Sequence, residues 1–112
     1  MSRDRVLLEA VIREIEVLPK FITDTTLEEF MDSEIKQRAV CMTLLNIGEL
    51  LKKVSDHTKE KYHHIVWEDI TRLRDIAAHQ YQSLNMERIY YTATKFIPVF
   101  KDNINQILTS IR

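Results

Sequence analysis

The chain holds a single glycine and two prolines among 112 residues, too few turn-formers for a fold assembled from many tight hairpins. Its one cysteine, Cys41, can form neither an internal disulfide nor a cysteine-rich zinc site. That fits a reducing compartment, and a buried, inert thiol is the expectation. There is no surplus of positive charge: the formal net charge is −1, which excludes a protein that coats nucleic acid by general basicity and leaves room only for a local basic cleft. No apolar run approaches the length of a membrane span, and the first residues, MSRDRVLLEAVIREIE, are charged every few positions. A cytoplasmic protein with no membrane partner is therefore expected.

What is present is 45% hydrophobic and 29% charged, the balance of a folded domain. One domain covering residues 1–112 is expected, with a modest core that association with another copy would enlarge. Leu7, Leu8, Val11, Ile12, Ile15, Leu18 and Ile22 recur at helical spacing, and Pro19 should stop or bend this first helix. A polar break follows at Thr23 to Thr26, where Thr25 or Thr26 with Glu28 or Glu29 makes a capping-box pattern ahead of the short turn LEEFM. From about Ser33, with Ser33 or Asp32 as cap, a longer helix runs through Val40, Leu44, Ile47, Leu51 and Val54. It is apolar around much of its girth and should be covered on more than one side, by the fold or by a second subunit. Gly48 within it marks a close helix approach. Asp56 to His64 reads as a polar connector. Trp67 opens a further helix with Ile70, Leu73 and Ala77 as its core face. Asn85 caps a long final helix that Pro98 should kink without ending. The sum is an all-α, up-and-down bundle of four to five helices.

The chemistry concentrates in WEDITRLRDIAAHQY, Trp67 to Tyr81, where Arg74, Asp75, His79 and Tyr81 fall within eight residues. A fixed cation, a carboxylate, an imidazole and a phenol together exceed what helix packing requires. Asp75 and His79 share a helix face, as do Arg74 and Tyr81, but Arg74 and His79 stand ~140° apart around the axis. A second copy related by a two-fold axis would bring paired arginines and histidines around one shared cleft. Such a cleft suits metal-independent RNA cleavage: histidine exchanges protons near neutral pH, and guanidinium neutralises the phosphate as charge develops. Asp75 could orient His79. The plainer reading of spacing alone is that Arg74 and Asp75 are solvated surface charges and His79 a helix-end histidine.

Other groups carry weaker signals. His57, His63 and His64 lack the cysteine or spaced carboxylate that would complete a metal site. Lys52, Lys53, Lys59 and Lys61 read either as phosphate contacts flanking the cleft or as a solvated basic face. Tyr90 and Tyr91 read as core or interface packing, with base stacking as the alternative, and Trp67 as core with its indole N–H partnered at the helix start.

The runs IGELLKKV (47–54), RDIAAHQY (74–81) and YYTATKFIPVF (90–100), in this order and with Arg-x4-His-x-Tyr at Arg74, His79 and Tyr81, resemble the HepT-like RNase toxins of the HEPN superfamily. Val66 departs from the proline that relatives often carry before the tryptophan. The resemblance implies an α-helical homodimer and a toxin of the endoribonuclease type, with Arg74 and His79 catalytic; Asp75, the supporting group by its spacing from His79, occupies a position that is Asn or Asp in relatives. The acid–base and electrostatic groups on offer, with no ligand set among them, call for no metal or cofactor. The resemblance also implies a partner nucleotidyltransferase antitoxin of the MNT type that transfers AMP to Tyr81, since this chain has no nucleotidyltransferase motif of its own. A non-catalytic HEPN-like module binding a nucleotide or a protein partner is the alternative.

Overall fold

The computed structural model describes residues 2–68, 71 and 84–111. Among them the elements are all helical: α1 (Ser2–Ile15), α2 (Pro19–Ile22), α3 (Leu27–Met31), α4 (Glu34–Lys52), α5 (Asp56–Lys61), α6 (Met86–Tyr91), a π-helical turn (Thr92–Phe96) and α7 (Ile97–Ser110). Trp67, Glu68 and Thr71 are also helical. No described helix is long and apolar enough to cross a membrane.

Local chemistry sets the boundaries. Pro19 occupies the first turn of α2, where its missing N–H costs nothing, and the chain ahead of it tightens into i→i−3 bonds from Val17 to Glu14 and Leu18 to Ile15. Leu18 nonetheless keeps right-handed helical angles, φ −53° and ψ −45°, against the pre-proline tendency, because its side chain is buried in the core. Asp24 takes φ 60°, a left-handed geometry that aspartate tolerates better than most residues. Of the two capping-box options, Thr26 and Glu29 form the reciprocal pair, Ser33 caps α4 and Asn85 caps α6. Pro98 lies in the first turn of α7, directly after the π turn. Wider winding there leaves the proline ring room against the preceding turn, so the helix continues through it.

Helix α1 is the axis of the bundle, packed against both α4 and α7. Near its start, the Arg5 guanidinium donates to the carbonyls of Leu108 and Ile111 at 3.1 and 2.9 Å, while Glu16, just beyond its end, meets Lys101 at 3.7 Å. α1 and α7 are therefore antiparallel. Asp4 bonds Ser55 and Glu14 accepts from Asn46, so α4 also runs antiparallel to α1. Leu8, Val11 and Ile15 from α1, Leu44, Ile47 and Leu51 from α4, and Phe100, Ile104 and Ile107 from α7 fill the space between. Gly48 is buried on α4, as the close-approach reading requires, and Cys41 is a buried thiol raised to about 11 by desolvation.

One expectation changes. The stretch from Asp56 is no mere connector: its first six residues form α5, capped by Ser55. The Asp4 carboxylate, buried at the start of α1, accepts bonds from the Ser55 amide, the Ser55 hydroxyl and the Thr58 hydroxyl, and this tertiary anchor holds a helix that has no apolar face. On the outer side of α4 large apolar side chains stay exposed, which leaves a second subunit as the cover the sequence reading allowed for. Ile35 is 82% and Met42 57% exposed, one heptad apart and opposite the buried Val40, Leu44, Ile47 and Leu51.

Candidate active-site segment

Arg74, Asp75, His79 and Tyr81, with the core positions Ile70, Leu73 and Ala77 of the same stretch, lie outside the described residues. The structure gives the two flanks that carry them. On the upstream side Ile65 and Trp67 are buried. The Tyr62 carbonyl accepts both the Ile65 amide, at 3.0 Å, and the Trp67 indole N–H, at 3.2 Å. The indole meets Phe100 of α7 edge-on, with ring centroids 6.3 Å apart. The Thr71 hydroxyl donates to the Trp67 carbonyl at 3.2 Å, the back-bond of a threonine one helical turn on. On the downstream side Leu84 packs on the core and Asn85 Oδ1 accepts the Arg88 amide at 3.1 Å. Both described flanks of the segment are thus fixed to one hydrophobic core.

The aromatic pair after the segment divides. Tyr90 is structural: its hydroxyl donates to the Thr25 carbonyl at 2.6 Å and its ring lies 5.4 Å from Phe30. Tyr91 is 44% exposed, edge-on to Tyr90.

Upstream, Lys52 and Lys53 at the end of α4, His57 and Lys61 on α5, and His63 and His64 after it are all exposed. Among the described residues no group of three or more His, Cys, Asp or Glu side chains is placed to hold a metal ion. A groove of about 390 Å³ between α1, α2 and the π turn is lined mainly by Ile15, Leu18, Ile22, Ala93, Ile97 and Pro98. Its charged members, Glu16 and Lys101, pair with each other, and it contains no histidine, so it offers no acid–base pair for chemistry near neutral pH.

Sequence reasoning missed the Asp4–Ser55–Thr58 cluster. Its only local sign is the Ser55-x-x-Thr58 spacing of a helix cap, and the carboxylate that completes it comes from the other end of the chain.

Comparison with known proteins bears on the whole chain. A family model described as Ribonuclease HepT-like matches residues 3–107. "Putative RNase TTE0752" of Caldanaerobacter subterraneus subsp. tengcongensis is 30% identical over 108 residues, covering 96% of each chain. "Probable ribonuclease HepT" of Thermococcus cleftensis is 27% identical over 100 residues, 89% of this chain and 91% of that one. "Gamma-glutamylcyclotransferase and putative RNase MJ0434" of Methanocaldococcus jannaschii is 29% identical over 112 residues; there the match takes in 99% of this chain but spans half the length of the relative. No solved structure matches.

Proposed function

Since the chain belongs to the Ribonuclease HepT-like family, and through it to the HEPN superfamily, we propose that it is the endoribonuclease toxin of a toxin–antitoxin pair, with residues 1–112 as a single catalytic domain. The observation that carries this reading is the family match over residues 3–107 to a chain holding Arg74 and His79 at the Arg-x4-His spacing. In the proposed reaction an RNA 2′-hydroxyl oxygen attacks the adjacent phosphorus, the bond to the 5′-oxygen breaks, and a 2′,3′-cyclic phosphate and a free 5′-hydroxyl result. His79 moves the proton, taking it from the 2′-oxygen or supplying one to the leaving 5′-oxygen. Arg74 binds the non-bridging phosphate oxygens and offsets the charge that grows on them. Asp75, one turn before His79, holds the imidazole in orientation.

The proposed enzyme is a cytoplasmic homodimer. The helical offset of Arg74 from His79 supports a cleft shared by two copies, and the uncovered Ile35 and Met42 on α4 supply apolar surface that a second copy would cover. Its antitoxin is a nucleotidyltransferase of the MNT type. The Tyr81 phenol oxygen attacks the α-phosphorus of ATP bound to that partner, pyrophosphate leaves, and the resulting AMP group blocks the cleft and repels RNA.

Incubation of the purified protein with RNA, with and without EDTA, tests the catalytic reading. Cleavage should persist in chelator, yield cyclic-phosphate ends, and fall at least a hundredfold, on the order of magnitude a lost acid–base group or phosphate cation costs, in Arg74→Ala and in His79→Ala. Absence of cleavage by the wild type would favour a non-catalytic binding module, and activity that needs added Mg²⁺ would overturn the mechanism.

A further inference from the structure

The charges of this chain are sorted along it. Residues 1–34 carry nine acidic and four basic side chains, whereas residues 52–64 carry four lysines and three of the four histidines against two acids. The fold turns six of these seven basic side chains outward along a ridge, with Lys59 half-buried. Val54, Thr58 and Ile65 are buried and anchor the stretch from within, so Lys52, Lys53, His57, Lys61, His63 and His64 are left on the outside. On α5 the exposed acids Asp56 and Glu60 share one side and His57 and Lys61 the next, the two sides centred ~100° apart, so the acids border the cationic side, with Glu60 a turn from His57. Lys61 also stands over the Tyr62 ring, its Nζ 5.6 Å from the centroid.

The ridge is bound to the start of the candidate catalytic segment. The Tyr62 carbonyl at its end accepts from both the Ile65 amide and the Trp67 indole, and Trp67 is where the stretch bearing Arg74 and His79 begins. The acidic set is elsewhere: Asp24, Glu28, Glu29, Asp32 and Glu34 are exposed around α3 and the start of α4, a full 19-residue helix from Lys52, or ~28 Å at 1.5 Å per residue. A polyanion approaching this molecule is repelled by one end and attracted by the other.

We propose that the ridge from Lys52 to His64 is an RNA-docking subsite in which the lysine ammonium groups contact backbone phosphates of the strand beside the cleavage point. The inference rests on the ribonuclease reading and adds to it a binding surface separate from Arg74 and His79. Phosphate contacts of this kind position a strand without reading its bases, so the ridge increases affinity for RNA of any sequence, and does so in a salt-dependent way.

The test is binding of a fluorescein-labelled, fully 2′-O-methylated 15-nucleotide RNA, which presents phosphates but has no 2′-hydroxyl to react, followed by anisotropy across a salt series. The triple variant Lys52→Gln, Lys53→Gln, Lys61→Gln should bind about ten- to a hundredfold more weakly at 0.1 M salt, and its slope of log affinity against log salt should be shallower by ~2, as the loss of three single-strand phosphate contacts requires. Arg13→Gln with Lys20→Gln and Lys95→Gln, all exposed and off the ridge, removes the same three charges and so controls for a mere change of net charge, and thermal melting of both variants checks the fold. Equal binding by wild type and the triple variant overturns the subsite; if wild type still cleaves the unmethylated strand, the ribonuclease reading stands without it. Equal losses in the triple variant and the control also overturn it. Absence of both binding and cleavage by wild type overturns both readings.

Discussion

Asp4 holds Ser55 with both of its carboxylate oxygens: Oδ1 accepts the Ser55 amide at 3.1 Å and Oδ2 the Ser55 hydroxyl at 2.5 Å. With the Thr58 hydroxyl also donating to Oδ2, a single buried carboxylate ties the first turn of α1 to the cap of α5. Burial alone would raise this carboxyl, but the bonds from Ser55 and Thr58 together outweigh it and hold Asp4 below the ordinary value.

Because the folded-state value is depressed, the stabilisation from Asp4 is fully present above the carboxyl's unfolded value and is lost as pH falls through the folded one. Asp4→Ala should destabilise the fold by about 1–3 kcal/mol near neutral pH, the cost of leaving buried donors unpaired. Urea unfolding from pH 7 down to pH 3 should show the gap between wild type and Asp4→Ala narrowing; a gap constant with pH would detach the cluster from acid stability.

Trp67 is the only tryptophan, and its contact with the fully buried Phe100 makes its emission a report on the core at the start of the candidate segment. Phe100→Ala should cost about 3–5 kcal/mol and shift native-state emission to longer wavelength. An unshifted spectrum would mean that Phe100 does not shield the indole.

For the proposed homodimer, light scattering should give twice 13.3 kDa. Ile35→Glu with Met42→Glu places charge on a face already exposed in the single chain, so the monomer fold should survive. The double variant should scatter as a monomer and lose RNA cleavage. A wild-type monomer at all concentrations would remove the shared cleft, and a dimeric variant would place the interface off this face of α4.

Tyr81→Phe keeps the ring and removes the acceptor oxygen. With a partner nucleotidyltransferase and ATP, intact-mass spectrometry should show an AMP-sized increment on wild type and none on the variant, which should stay active when wild type is silenced. An increment that persists in Tyr81→Phe assigns the acceptor elsewhere.

What could be read from the sequence was what short-range chemistry decides. The caps at Thr26, Ser33 and Asn85 involve partners three residues away, and the inward faces of α1, α4 and α7 repeat at helical period. Helix α5 escaped because its inward side chain is Thr58, a polar residue satisfied by Asp4 from 54 positions earlier, and no local pattern encodes such a partner. The π turn escaped for a related reason: proline announces a disturbance, but whether the helix kinks, stops or widens depends on the core that holds Ala93 and Ile97 on either side. The candidate site is read only as a motif, carried by residue types and their spacing, and Arg74 and His79 lie outside the described residues.

The grip of Arg5 on Leu108 and Ile111 has a topological result. The first turn of α1 and the last turn of α7 emerge at one pole, and the Asp4 bond to Ser55 places the start of the basic ridge at that same pole. Two successive side chains of one helical turn, Asp4 and Arg5, therefore close that pole, one holding the cap of α5 and the other the last turn of α7, so a single break in the first turn of α1 would release both.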